Sequence, residues 1–204
     1  MNIIWHGHSC FEITGKDGTI VFDPYQANSV PGLNSLKLKA NLVLCSHEHD
    51  DHNARNCVEV APKDFKVTCI ETYHDHHQGS HRGKNTIHIV DFEDLKVVHM
   101  GDIGCMMDDV SKLKNCDVLM IPIGGYYTID TKEALKYIER IQPRIVIPMH
   151  YRSHEFGYDV LSTNEVFIQK SSNIVYIDDY LEVHKETKGQ TIVFKKGALN
   201  NRVL

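Results

Sequence analysis

The chain has 204 residues, of which 42% are hydrophobic and 24% are charged, and its formal net charge is −5. This composition is ordinary for a globular protein with its own core, and the acidic balance argues against general nucleic-acid binding, which needs a basic surface. No apolar run approaches the roughly 20 residues that a membrane-spanning helix needs, so we expect no transmembrane segment.

The N-terminus and the cysteines favour a cytoplasmic protein. Residues 1–13 lack the basic start, the long apolar stretch and the cleavage site of a secretory signal. The six cysteines show no C-x-x-C spacing, and Cys10, Cys45 and Cys69 lie in apolar, strand-like runs. This pattern predicts reduced, partly buried thiols rather than a disulfide framework.

Strand patterns dominate the start of the chain. Residues 10–14 alternate apolar and polar side chains, 15–18 supply turn residues, and 19–22 are again β-type. The segment 25–40 is rich in Asn, Ser, Pro and Gly, which predicts a surface loop. The short apolar run 42–45 is typical of a strand that is covered on both faces.

More strands are predicted towards the middle of the chain. Residues 53–61 show a weak helical pattern, and the strand-like run 66–70 leads directly into a His-rich segment. The β-type runs 86–90 and 95–99 follow, and the second of them ends at Gly101-Asp102. Such closely spaced β-type runs indicate a sheet-rich structure.

The clearest helix signal covers residues 131–141. Asp130 or Thr131 can cap its N-terminus, and Glu133 adds an acidic residue to the first turn. Pro143 follows, where it would close the helix.

Apolar strands flank this helix, and the chain continues to be β-rich beyond it. Residues 117–123 and 144–149 are apolar runs, and the tail 173–196 contains two or three strand-like runs. No repeat or linker divides the chain. We therefore expect one domain over residues 1–204, in which sheets pack together and helices flank them.

Metal-competent side chains follow several predicted strands at the point where each strand ends. They are His47, His49, Asp51, His52, His74, Asp102 and His150. Residues at strand ends are held by a rigid sheet but face a loop-lined cleft. Imidazole and carboxylate ligands suit zinc, and also manganese or iron, and seven ligands exceed the four of one tetrahedral ion. The sequence therefore predicts a site for two divalent metal ions.

Three of these residues have ordinary alternative interpretations. His76 competes with His74 for the ligand position in the His-rich segment, and we choose His74 because it comes first after the strand. Asp102 could be a turn residue after Gly101, and His150 could be a core histidine with a satisfied imidazole.

Other polar residues are candidates for supporting roles. His8 and Asp23 could orient metal-bound imidazoles, although Asp23 could equally end a strand before Pro24. Four residues near the ligand-bearing segments could contact an anionic substrate: Arg82, Lys84, Tyr126 and Tyr127. For each of these four, a surface or packing role is the commoner one.

The residues and their order resemble the metallo-β-lactamase superfamily, whose metal-binding pattern is H-x-H-x-D-H followed by a His, a bridging Asp and a last His. The resemblance is closer to its small branch of predicted metal-dependent hydrolases, which includes relatives of ascorbate-6-phosphate lactonase. The matching motifs are Gly7-His8-Ser9-Cys10-Phe11, Asp23-Pro24, His99-Met100-Gly101-Asp102, Ile121-Pro122-Ile123-Gly124-Gly125 and Ile147-Pro148-Met149-His150-Tyr151. The matches run from about residue 3 to 151, and residues 152–204 carry no recognised motif.

This resemblance implies an α/β fold, a four-layered αββα sandwich, with a dinuclear metal site. One ion would take His47, His49 and His74. The other would take Asp51, His52 and His150. Asp102 would bridge the two ions, so that Asp51 and Asp102 belong to the catalytic centre.

We therefore expect a cytoplasmic hydrolase in which two ions activate a water for attack on an ester, lactone or phosphodiester. The substrate would be a small molecule, and an anionic one if Arg82 contacts it. One alternative is an iron-dependent redox enzyme on the same fold, but the di-iron branch has Glu where this chain has His49. A second is a non-catalytic metal-binding module. RNA cleavage is disfavoured, because the nuclease relatives carry a long added domain.

Overall fold

The structure is a computed structural model and describes residues 1–195. The first elements are β1 (Asn2–Gly7), β2 (Cys10–Gly15), β3 (Gly18–Phe22), β4 (Leu38–Ala40), β5 (Leu42–Leu44), β6 (Val58–Val60) and β7 (Lys66–Tyr73). The remaining elements are β8 (Lys84–Phe92), β9 (Leu95–His99), β10 (Val118–Pro122), α1 (Thr131–Ile141), β11 (Ile145–Met149), α2 (Glu165–Lys170), β12 (Ile174–Ile177), β13 (Tyr180–Glu182) and β14 (Gln190–Phe194).

The strands form two large sheets and one small one. The order is β13-β1-β2-β3-β5 in the first sheet and β12-β14-β11-β10-β9-β8-β7 in the second, and β4 pairs with β6. In the second sheet, the strands from β9 to β12 along this order run parallel. Parallel strands bring their C-terminal ends to one sheet edge, so the residues that follow β9 and β11 lie close together.

The core lies between the two large sheets. Trp5 of β1 and Phe194 of β14 have ring centroids 6.2 Å apart, and Phe22 of β3 stacks on His99 of β9 at 5.0 Å. All four side chains are buried. Strands β10 and β11 are buried along their whole length, as expected of central strands with both faces covered.

Helix α1 has the bounds that the sequence predicts, and Asp130 is its N-cap. The Asp130 carboxylate accepts a hydrogen bond from the Glu133 N–H at 2.9 Å, and the Glu133 carboxylate accepts one from the Asp130 N–H at 3.1 Å. This reciprocal capping box satisfies two N–H groups that an uncapped helix would leave without partners. The buried face of α1 carries Ala134, Tyr137 and Ile141.

Replacing Asp130 with Ala should lower the free energy of unfolding by about 1 kcal/mol, because the cap accepts a helix N–H that otherwise lacks a partner. Chemical denaturation measures this loss. Lys132→Ala, at an exposed position in the same turn, is the control and should change stability little. Equal stabilities of the two variants would contradict the capping role.

Three local predictions are wrong. Strand β5, which was expected to be covered on both faces, lies at the edge of its sheet, and its three residues are only half-buried. The predicted surface loop 25–40 ends in β4, and the predicted helical stretch 53–61 contains only one 3-10 turn, at Arg55–Cys57, before β6 begins. Strands β4 and β6 pair in parallel with each other, with Lys39 opposite Glu59. This pairing joins segments about 20 residues apart, and its hydrogen bonds override weak local preferences.

The tail contains strands, as predicted, and these strands belong to both large sheets. Strands β12 and β14 extend the seven-stranded sheet, whereas β13 pairs with β1. Lys196, the last residue of the predicted tail, lies outside the described residues. The sequence did not predict α2, which has six residues and a single buried side chain, Phe167. At six and eleven residues, the two α-helices of the described chain are too short to cross a membrane.

Candidate metal centre

The seven candidate ligands lie together, and His8 joins them. Their ligand atoms fall into three overlapping groups, within each of which all atoms lie within 4.8 Å of one another. The groups are His47, His49 and His74; His8, Asp51, His52 and His150; and His47, His52 and Asp102.

Each ligand follows a strand of one of the two large sheets. The H-x-H-x-D-H segment follows β5, His74 follows β7, Asp102 follows β9 and His150 follows β11. The cluster therefore lies where the C-terminal ends of strands from both sheets meet. This placement agrees with the expectation from the sequence that these residues, which follow strands, lie together in one cleft.

Asp102 lies at the centre of the cluster. Its Oδ2 atom lies 2.9 Å from His150 Nε2, 3.1 Å from His52 Nε2 and 3.5 Å from His74 Nε2. The carboxylate is buried. Burial alone would raise its pKa, but the neighbouring His150 and His52 outweigh burial and hold the pKa of Asp102 well below its usual value.

Three histidines are oriented by partners on the side away from the cluster. His74 Nδ1 donates to the Tyr127 carbonyl oxygen at 3.0 Å, and His52 Nδ1 donates to Asp23 Oδ2 at 2.8 Å. His47 Nδ1 lies 2.9 Å from Ser46 Oγ. These contacts leave each Nε2 facing the cluster. Among the described residues the buried Nε2 atom of His47 has no hydrogen-bond partner, whereas that of His52 lies 3.1 Å from Asp102 Oδ2. Metal-binding histidines show this arrangement, with one nitrogen fixed by a second partner.

Asp23 anchors the ligand-bearing segment. Its Oδ1 accepts from the Ser46 N–H and its Oδ2 from the Ser46 hydroxyl, both at 2.6 Å, and Oδ2 also accepts from His52. The side chain is fully buried. Of the two roles that the sequence left open for Asp23, these contacts favour the orienting one, while Phe22 before it still ends β3.

His8 lies behind Asp51. Its Nε2 is 3.1 Å from Asp51 Oδ2, and its ring centroid is 4.1 Å from that of His150. Burial, together with the nearby His150, lowers the pKa of His8 to about 4. His8 therefore carries a neutral imidazole at neutral pH, and its Nε2–H donates to the Asp51 carboxylate.

Three histidines of the cluster, His47, His74 and His52, have shifted pKa values. Burial, aided by His52, lowers the pKa of His47 to about 3, and burial also lowers that of His74. Burial opposes a charge on His52 as well, but Asp102 and Asp51 overcome it and raise the pKa of His52 well above its usual value. Neutral imidazoles are the ligand form of histidine, so a metal would displace a proton from His52 alone among these three.

Three residues at the cluster adopt the left-handed backbone conformation that favours glycine. His8, Asp23 and His150 have φ angles of 53°, 42° and 50°. Non-glycine residues in this left-handed region concentrate at functional sites.

The structure distinguishes the two histidines that the sequence left as rivals. His74 is buried within the cluster, whereas the His76 side chain is 57% exposed and lies 3.6 Å from a Glu133 oxygen of α1. His76 is therefore outside the cluster.

A cavity of about 260 Å³ opens onto the cluster. Its lining residues are His49, Asp51, His74, Arg82, Asp102, Tyr127, His150 and Tyr158. Tyr126 is 63% exposed and is not among them. A larger groove of about 520 Å³ runs between α1 and α2 but contains none of the candidate ligands.

Tyr158 is the residue that sequence reasoning missed. Its hydroxyl lies 2.8 Å from the Ser29 carbonyl oxygen and 3.2 Å from Asp51 Oδ2. It belongs to the segment after residue 151, which carries no recognised motif. A lone tyrosine in an irregular segment gives no signal, because only the tertiary fold brings it to the cavity.

Comparison with known proteins assigns the chain to a family. The model of the β-lactamase superfamily domain matches residues 2–150. A UPF0173 metal-dependent hydrolase from Staphylothermus marinus is 30% identical over 194 residues, which cover 72% of this chain and 82% of the relative. A second one, from Thermoplasma acidophilum, is 28% identical over 193 residues, with 76% and 85% covered.

A solved structure of the same superfamily is also similar to this chain. It is the crystal structure of a Thermotoga maritima protein described as a Zn-dependent hydrolase of the metallo-β-lactamase superfamily. It superimposes with a TM-score of 0.76 at 26% identity, over 95% of this chain and 97% of the other. The chain therefore belongs to the β-lactamase superfamily and is a metal-dependent hydrolase with the metallo-β-lactamase fold.

Proposed function

We propose that the cluster holds two divalent ions, with zinc the first expectation and manganese or iron the alternatives, and that the protein hydrolyses an ester, lactone or phosphodiester of a small molecule. The observation that carries the proposal is the orientation of His47, His52 and His74. Each has its Nδ1 against a second partner and its Nε2 towards the cluster.

The proposed assignment is the one that the family resemblance implies, and the grouping of the ligand atoms supports it, with His8 as an additional member of the second group. One ion takes His47, His49 and His74. The other takes Asp51, His52 and His150. Asp102 lies between the two sets, close to His74 of the first and to His52 and His150 of the second, which supports a bridging role.

Two such ions would supply Lewis acidity and would lower the pKa of a bound water. The protein contributes position and charge. Asp23 and the Tyr127 carbonyl oxygen accept a hydrogen bond from Nδ1 of His52 and His74, so Nε2 is the nitrogen that each ring directs at the metal site. His8 and Tyr158 both donate hydrogen bonds to Asp51 Oδ2, and these contacts keep the carboxylate directed at the cluster. Both Asp51 and Asp102 have pKa values below the usual range and remain ionised at neutral pH.

Two broader predictions accompany this function. Strands β13 and β14 of the tail join different large sheets, which supports one domain over residues 1–204. The cytoplasmic location remains a prediction from the sequence.

Metal analysis of matched variants tests the two-ion proposal. After loading with zinc and removal of the excess, we expect two ions per chain in the unmodified protein and one in His49→Ala, with most hydrolysis lost. His49 suits this test because it is exposed, so the fold does not depend on it for core packing. His76→Ala is the control, since His76 is another exposed histidine and lies outside the cluster.

The measurements are zinc content by atomic spectroscopy and turnover on a panel of esters, lactones and phosphodiesters. Equal zinc content in His49→Ala and His76→Ala would exclude the assignment. Two ions without turnover on the whole panel would instead indicate a non-catalytic metal-binding module. Iron in protein isolated from its source would indicate the redox alternative.

A further inference from the structure

Arg82 is the single cationic side chain among the residues that line the cavity above the cluster, apart from the histidines. Its guanidinium carbon lies 5.4 Å from the ring centroid of Tyr127 and 5.8 Å from that of Tyr126. Contacts of this length are attractive cation–π interactions. They restrict the guanidinium group without using its N–H donors.

The loop that carries Arg82 is built around one buried carboxylate. Asp75 accepts hydrogen bonds from the backbone N–H groups of His77, Gly79, His81 and Arg82, at 2.7, 3.0, 3.0 and 2.8 Å. Burial raises the pKa of this carboxyl, but the four N–H donors outweigh it and hold the pKa below the usual range. The Arg82 backbone is therefore fixed relative to His74, which precedes Asp75.

The guanidinium group has no acidic partner in the described part of the chain. None of the carboxylates in residues 1–195 lies within 4.0 Å of it, although Lys84, two residues further on, pairs with Glu71 on the exposed face of the sheet. Arg82 is also partly accessible to solvent. A fixed arginine with free donors in the wall of a cavity is suited to bind a carboxylate or phosphate group through two parallel hydrogen bonds.

We propose that Arg82, held against Tyr126 and Tyr127, binds an anionic group of the substrate that is separate from the bond being cleaved. The inference rests on the proposed function. The cavity of about 260 Å³ lies at or below the lower end of the usual range for small-molecule sites, so the substrate has a short body. The substrate class is thus a compact ester, lactone or phosphodiester with an extra carboxylate or phosphate group.

Three p-nitrophenyl esters test this substrate class. They share one leaving group and differ in the acyl group, which is neutral in the acetate, ends in a carboxylate in the hemisuccinate and ends in a phosphonate in the phosphonoacetate. In the zinc-loaded protein, kcat/KM should be higher for at least one anionic ester than for the acetate. The anionic ester with the higher kcat/KM identifies the anionic group that the site prefers.

Variants of Arg82 then locate the preference. Arg82→Gln should lower the ratio of kcat/KM for the anionic ester to that for the acetate by about 10- to 100-fold, as expected for hydrogen bonds between charged groups. Because both esters are measured in the same variant, the ratio cancels any loss of activity that is common to them. Arg82→Lys, which keeps the charge but loses the planar fork, should give an intermediate ratio. Lys84→Gln, which removes a neighbouring cation outside the cavity, should leave the ratio unchanged.

An equilibrium measurement separates this inference from the proposed function. Calorimetric titration with succinate, with and without zinc, should show binding that Arg82→Gln weakens at least 10-fold and Lys84→Gln does not. If no ester is hydrolysed but succinate binding depends on Arg82, ester hydrolysis is wrong and the anion site stands. If Arg82→Gln changes neither the ratio nor succinate binding, the anion site is wrong, whatever the protein hydrolyses.

Discussion

Replacing Asp102 with Asn should lower kcat/KM for hydrolysis about a thousandfold, which corresponds to several kcal/mol of transition-state stabilisation. The amide has nearly the same shape as the carboxylate but lacks its charge. It would also direct an NH2 group or a neutral oxygen at His52, His74 and His150, where Oδ2 now lies within 3.5 Å of each Nε2. The variant should therefore lose the group that is proposed to bridge both ions.

The measurements for Asp102→Asn are steady-state kinetics and zinc content on the same preparation. Any ion that binds the folded state raises Tm, so the rise caused by zinc should be smaller in the variant than in the unmodified protein. Asp108→Asn, at an exposed position in the segment after Asp102, is the matched control. A loss of less than tenfold, with two ions still bound, would rule out a bridging role for Asp102.

Replacing Asp23 with Ala should destabilise the protein by about 3–5 kcal/mol, the range found when one partner of a buried charged pair is removed. No discount for solvent applies, because the carboxylate is fully buried. Its removal leaves the Ser46 N–H and the cationic His52 without their acceptor. For a chain of this length, the corresponding loss in Tm is roughly 6–20 °C.

Thermal and chemical denaturation of Asp23→Ala measure this effect. Asp23→Asn should be less destabilised, because Asn keeps an acceptor for Ser46 and tolerates the positive φ of this position. In Asp23→Asn, affinity for zinc should still fall about 10- to 100-fold, as for other partners of metal-bound histidines. Asp178→Ala removes an exposed carboxylate that pairs with Lys195 and should change stability by 1 kcal/mol or less. An Asp23→Ala protein as stable as Asp178→Ala would contradict the anchoring role.

The sequence was informative wherever the signal is local. Short apolar runs that end in His or Asp predicted both the strands and the residues that gather at their ends, because a strand and its terminal residue are neighbours in the chain. The capping box of α1 is equally local, with Asp130 and Glu133 three residues apart. The family resemblance then supplied the grouping of the ligands and the layered fold.

What the sequence did not predict depends on contacts between distant segments. Tyr158 reaches Asp51 across 107 positions, and His74 is fixed by a carbonyl oxygen 53 positions away, at a residue whose side chain is irrelevant to the contact. Strand β6 pairs with β4, which lies about 20 residues earlier in the chain. No residue type or spacing encodes such contacts, so the cavity wall and the orientation of the histidines required the structure.

The left-handed backbone at His8, Asp23 and His150 limits how this protein can change. Each such residue costs about 1–3 kcal/mol relative to an unstrained one, and the surrounding fold must offset that cost. Glycine would relieve the strain but would delete a side chain of the cluster. We therefore expect mutations that raise stability without loss of hydrolysis to lie away from this edge of the sheets. The three residues themselves should remain unchanged in variants selected for a higher Tm.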